Sequence, residues 1–128
     1  IVSGLPAGIG EPVFEKLDAN ISKGILSIGA IKAIEFGSGF DAAKKTGSEN
    51  NDSFISNNKG KISKTSNNAG GVLGGISDGS EVIFRAAVKA TSSISKTQST
   101  VNNLGENIKI NIKGRHDPLI APRAVCCL

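Results

Sequence analysis

The sequence predicts an α+β fold in which helix and antiparallel hairpins occupy separate runs of the chain and pack as layers. Three patterns carry that expectation. Phe14, Leu17, Ile21, Ile25 and Ile28 recur at three- and four-residue spacing, as on one face of a helix. Ile108, Ile110 and Ile112 alternate with Asn107, Lys109, Asn111 and Lys113, the period of a strand with one wet face. Between them, Asp78-Gly79 reads as a hairpin turn leading into an apolar run.

Taken in order, Glu11-Pro12 opens the helix, because proline is tolerated in a first turn. Gly24 costs that helix about 1 kcal/mol relative to alanine, which points to close packing there, and Gly29 ends it. Ile31 to Phe36 follows as a strand, closed by Gly37-Ser38-Gly39. From Lys44 to Asn68 the chain is rich in Ser, Asn, Lys, Thr and Gly, with Phe54, Ile55 and Ile62 as its large apolar residues. These are too few to offset the entropy of ordering, so a mobile polar loop is expected at about 45–68. The run Gly70-Gly71-Val72-Leu73-Gly74-Gly75 comes next, then a strand from Glu81 to Lys89 that is apolar from Val82 to Val88 except for Arg85. Such a strand is expected to be buried on much of both faces. A strand-like run closes the chain.

At 128 residues the chain is the size of one domain. It has no methionine and begins in apolar sequence at Ile1, and so reads as a fragment of something longer. A net charge of +4 favours an anionic partner. The positive charges are scattered, and five Phe with no Tyr or Trp offer little for bases to stack on, so a small anionic ligand is preferred to nucleic acid. No apolar run is long enough to cross a membrane and no signal-peptide pattern opens the chain, which fits a cytoplasmic or plastid-stroma setting. Cys126 and Cys127 are neighbours whose side chains diverge, and His116 has no second histidine or cysteine near it, so no metal is expected.

Three constellations carry chemistry. Gly114-Arg115-His116-Asp117-Pro118 sets a guanidinium that forks toward phosphate or carboxylate beside a carboxyl that takes a proton, with Pro118 limiting the backbone before it. A surface turn with an Arg–Asp pair is the plainer reading. Lys89-Ala90-Thr91-Ser92-Ser93 puts one cation and three hydroxyls at a strand exit, which suits a phosphate or ribityl chain, although Ser and Thr crowd many strand exits. The glycine pairs lack the spacing of a nucleotide loop, leaving a turn between strands or a backbone surface against a flat ligand. Asp117 adjacent to His116 argues against a Ser-His-Asp triad, because neighbouring side chains diverge.

The segments Gly8 to Ala19, Glu35-Phe36-Gly37-Ser38-Gly39-Phe40, Gly47 to Asp52, Asn68-Ala69-Gly70-Gly71 through Gly79, and Gly114 to Val125 together resemble the chorismate synthase family. The resemblance covers the central to C-terminal part of such an enzyme and implies a layered sandwich of helices and antiparallel sheets, present as a fragment. It implies loss of phosphate and a C6 hydrogen from 5-enolpyruvylshikimate 3-phosphate by 1,4-anti elimination, with reduced FMN required, NADPH as its reductant in some members, and a homotetramer. Carried over by position, Gly29, Ala30, Gly74, Lys89, Ala90, Thr91, Ser92, Ser93 and Arg115 are implied flavin contacts, and Asp117 the residue that exchanges a proton at flavin N5. The family usually has Lys-Pro-Thr, Asp-Pro-Cys and Arg-Ala-Val-Pro where this chain has Lys89-Ala90-Thr91, Asp117-Pro118-Leu119 and Arg123-Ala124-Val125-Cys126. Without the family's upstream arginines and histidines, the 128 residues alone are expected to have little or no activity. A rival reading treats the chain as a non-catalytic binding or assembly module.

Overall fold

The computed structural model describes residues 1–56 and 60–127, which divide into two compact units, Ile1–Ala87 and Val88–Leu128. Helices and small antiparallel sheets make up both, as the α+β expectation requires.

In the first unit, α1 spans Leu17–Leu26, with Asp18 in its first turn and Lys23 in its last, both favourable to the helix dipole. It starts later than Glu11 because Glu11 and Glu15 exchange backbone hydrogen bonds of 2.8 and 3.0 Å, closing a tight loop over Pro12 to Phe14. Phe14 therefore lies outside the helix and is 88% exposed, while Ile25 is the residue α1 buries. The close packing expected at Gly24 is not there: a Cβ built on it meets nothing within 4 Å. Its carbonyl instead accepts a 2.6 Å bond from the Ser27 hydroxyl, near where the helix ends.

Strand β1, Ile31–Phe36, lies where the sequence puts it and pairs with β6, Phe84–Val88. The Phe36 and Phe84 rings meet at a 5.7 Å centroid distance, and Arg85 reaches Glu35 at 2.8 Å. Along β6 half-buried residues alternate with exposed ones, so burial falls on one face rather than the two expected. Arg85 explains this: a guanidinium in the middle of the strand stays in water unless paired and desolvated. Val82, just before β6, bridges to Val2 through two backbone bonds of 2.8 and 2.9 Å and is completely buried.

The polar stretch expected as a loop carries backbone-paired structure. A 3-10 turn at Gly39–Lys44 is followed by α2, Gly47–Asn50. The Glu49 carboxylate accepts both the backbone N–H and the hydroxyl of Thr46, at 2.8 and 2.9 Å, satisfying donors at the helix start. Strands β2, Phe54–Ser56, and β3, Ile62–Lys64, then pair antiparallel with Phe54 opposite Lys64 and Ser56 opposite Ile62. Residues 57–59 of the expected loop lie outside the described residues.

Strands β4, Val72–Leu73, and β5, Ile76–Ser77, form a two-residue hairpin whose turn is Gly74-Gly75, with φ of +59° and +87°. Two consecutive positive φ values define the turn that matches strand twist. Asp78-Gly79 is consequently not the hairpin turn; the Asp78 carboxylate accepts the Ser80 N–H at 2.8 Å and redirects the chain toward Val82.

The second unit is built on β7, Gln98–Val101, and β8, Asn107–Ile110, paired antiparallel with Thr100 opposite Ile108. β7 is polar and has no apolar alternation by which the sequence could show it. The connecting turn is tied by Asn102, whose side-chain oxygen accepts the N–H groups of Leu104 and Glu106, both at 2.9 Å. All four residues of β8 are exposed, so its isoleucine face is open rather than covered. The strand-like run expected at the end is helical: α3 spans Ala121–Val125 with Pro122 in its first turn, and Ala124 is its buried residue.

Candidate functional site

Each candidate residue can be placed within its own unit. In the first unit, Gly74 sits at the tip of the β4–β5 hairpin, and a Cβ there would meet nothing within 4 Å. Its neighbour Gly75 is enclosed: the Gly75 carbonyl accepts the N–H of Leu17, the first residue of α1, at 2.8 Å. Gly29 and Ala30 form the turn after the other end of α1, where Ala30 adopts a left-handed φ of +71°. At about 1.5 Å per residue the ten-residue helix separates these two turns by roughly 15 Å. The structure therefore sets Gly74 near the start of α1 and Gly29-Ala30 just past its end.

The glycine hairpin stands on a buried charge cluster that sequence reasoning missed. Lys64 Nζ lies 2.5 Å from Asp78 Oδ2 and 3.7 Å from Asp52 Oδ2, and the three side chains are 3, 6 and 2% exposed. Asp52 also accepts the Ser66 hydroxyl at 2.6 Å and the backbone N–H groups of Asn68 and Ala69 at 2.7 and 2.9 Å. Burial pushes the Asp52 carboxyl up, but these three hydrogen bonds and the Lys64 charge outweigh it and carry the pKa down to about 2. Asp78 is also lowered: burial raises it, and the bonds from Lys64 and Ser80 more than compensate. Asn67 completes the cluster, its side-chain oxygen accepting from Lys64 at 3.1 Å and from the Gly71 N–H at 2.8 Å, while its amide donates to the Glu81 carbonyl at 2.9 Å. Asn, Asp and Lys in a polar stretch look like turn and surface residues; only strand pairing brings Lys64 under the hairpin.

In the second unit, Lys89 is exposed and makes no ion pair among the described residues, and the same holds for Arg115. Thr91 is different. Its hydroxyl is buried and has no hydrogen-bond partner among the described residues. An orphaned buried hydroxyl between a free cation and two serines suits an anionic or polyol ligand that would supply the missing acceptor or donor. The Ser92 carbonyl accepts from Gln98 at 3.3 Å, which leaves its hydroxyl and that of Ser93 available.

Asp117 and His116 diverge. One guanidinium nitrogen of Arg123 reaches both Asp117 oxygens, at 3.2 and 3.0 Å, so the Arg–Asp pair exists but its arginine is Arg123 and not Arg115. The His116 Nε2 lies 2.8 Å from the Ile112 carbonyl, and because a carbonyl only accepts, that nitrogen carries the hydrogen. No cluster of His, Cys, Asp or Glu with metal-binding geometry exists among the described residues, and no described helix is long and apolar enough to cross a membrane.

The family model described as chorismate synthase matches residues 1–128 of this chain. The chain belongs to the chorismate synthase family. It is 66% identical over 125 residues to the chorismate synthase of Lachnoclostridium phytofermentans, covering 98% of this chain and 34% of that protein. To that of Methanosarcina mazei it is 56% identical over 126 residues, covering 98% and 34%. A crystal structure of chorismate synthase superposes with a TM-score of 0.64 at 35% identity, over 68% of this chain and 27% of that one. The chain thus spans about a third of the length of the curated relatives it matches.

Proposed function

We propose that the natural protein carrying this chain is a chorismate synthase, which eliminates phosphate from 5-enolpyruvylshikimate 3-phosphate in a 1,4-anti sense to give chorismate, with reduced FMN bound. The observation that carries the ligand side of this reading is the buried, unpartnered hydroxyl of Thr91 within Lys89–Ser93. A bound reduced flavin would supply electron density transiently without net redox change, with NADPH as its reductant in some members of the family. Lys89 and Arg115 provide positive charge toward the flavin phosphate and anionic ligand groups, Thr91, Ser92 and Ser93 hydrogen-bond to phosphate or ribityl oxygens, and Ala90 keeps that run unobstructed. In the first unit Gly74, Gly29 and Ala30 present backbone to the flavin. Asp117 is the residue that takes and returns the proton, and Arg123, gripping both its oxygens, holds the carboxylate in one orientation. The whole of 1–128 is the C-terminal portion of a single domain in that protein, which assembles as a homotetramer in the cytoplasm.

A stopped assay for chorismate under reducing conditions tests the reading. The full natural chain turns over, Asp117→Asn loses at least about a hundredfold in rate while still quenching with FMN, and the 128 residues alone give little or no product. Undiminished turnover by Asp117→Asn removes its assigned role.

A further inference from the structure

The Asp52–Lys64–Asp78 cluster contains none of the residues assigned above, yet it holds the segment that carries one of them. Asp52 fixes the backbone N–H groups of Asn68 and Ala69, just before the glycine run, and Lys64 fixes Asp78, one residue past β5. Between those two anchors, Asn67 accepts the Gly71 N–H and the Gly71 carbonyl accepts the Asp78 N–H at 3.1 Å. Both ends of the β4–Gly74-Gly75–β5 hairpin are therefore clamped to one buried ammonium group. A two-stranded hairpin of two residues a side does not hold its own geometry in water, so a defined position for its tip must come from such anchors. The cluster is also closed: Lys64 donates to Asp78 and Asn67 and its charge faces the Asp52 carboxylate at 3.7 Å, so no ligand is needed to balance it.

We infer that Lys64, with Asp52 and Asp78, is a positioning residue that fixes the Gly74-Gly75 turn for contact with the flavin. This rests on the proposed reading that Gly74 meets that cofactor. The cluster's own contacts run to the two roots of one hairpin, while the tip is tied separately to α1 by the Leu17 N–H on the Gly75 carbonyl at 2.8 Å, so a loss confined to the hairpin is what distinguishes positioning from general stability.

The test uses the full natural chain, with FMN titration followed by fluorescence quenching and amide hydrogen exchange resolved by residue. Gly74→Val, whose side chain projects into open space on a left-handed backbone, tests whether FMN binding depends on this turn and should weaken FMN at least tenfold. Lys64→Met should weaken FMN by roughly tenfold and speed exchange at Asn68 to Asp78 more than in α1. Asp78→Asn, isosteric and milder if Lys64→Met fails to fold, should shift both readouts the same way by a smaller factor. If Gly74→Val weakens FMN but the cluster variants bind it like the parent, or if they accelerate exchange equally everywhere, the positioning role is overturned. If Gly74→Val leaves FMN binding unchanged, the flavin contact at Gly74 fails, and the inference falls with it.

Discussion

Glycines of opposite character show how much of this chain is decided by single residues. Gly37 has φ +54°, and a Cβ on it would stand 2.0 Å from the Asn68 carbonyl oxygen and 2.5 Å from the Gly70 nitrogen, both backbone atoms that cannot yield. Gly37→Ala should cost about 3 kcal/mol or more in chemical denaturation. Gly74→Ala meets no atom and should cost only the left-handed penalty, about 1 kcal/mol. Equal losses would mean that the hairpin packing is wrong. Ala30, left-handed without being glycine, predicts the order Gly above Ala above Val for stability at that position, with Ala30→Gly gaining a few tenths of a kcal/mol after its chain-entropy cost. For the unpaired Lys89 and Arg115, alanine should leave stability within about 0.5 kcal/mol while weakening FMN about tenfold. The sequence showed these two cations at once as site candidates, since residue type is enough for that. It did not show that Asp117 pairs with Arg123, because the partner depends on how the chain folds back at α3.

At the scale of elements, the buried charge cluster makes a claim about pH. The folded pKa of Asp52 is about 2 against an ordinary 3.8, so its stabilisation is fully present above the unfolded value and is lost as pH falls through about 4 toward 2. That difference corresponds to about 2 kcal/mol, with Asp78 adding in the same direction. Asp52→Asn should reduce the acid-side slope of a urea midpoint measured between pH 5 and 2, leaving the part due to Asp78; an unchanged slope would show that the cluster is not ionised as described. Lys64→Met, leaving two buried carboxylates without their cation, should cost on the order of 3–5 kcal/mol. The elements themselves were unevenly legible. β1 is legible to the residue because Gly29 and Gly37-Ser38-Gly39 bound a short run, Ile31–Phe36, in which four of six residues are apolar. β2, β3 and β7 are not, because each is only three or four residues long and set in polar sequence, and their stability comes from backbone pairing and from anchors distant in sequence.

At the scale of the whole molecule, the exposed apolar residues Phe14, Phe40 and Leu104, each at least 76% exposed, fit a chain that spans about a third of its relatives' length. Covering them predicts a more cooperative protein: the full natural chain should unfold with a larger denaturant slope per residue than these 128 residues alone, and equal slopes would show that the surface stays open. Family membership was determined by sequence alone, since motif order along the chain survives without any knowledge of contacts. So were the α+β class and the strand at Ile31–Phe36, which follow from local periodicity, while the candidate site residues are what the family resemblance implies. Only the tertiary structure decided which glycine pair makes the hairpin turn, which arginine holds Asp117, that Thr91 is buried without a partner, and that Lys64 lies beneath the glycine run between two carboxylates. The reason is physical: burial and ion pairing are properties of distance in space, and residues 52, 64 and 78 become neighbours only when separate strands and turns close on one another.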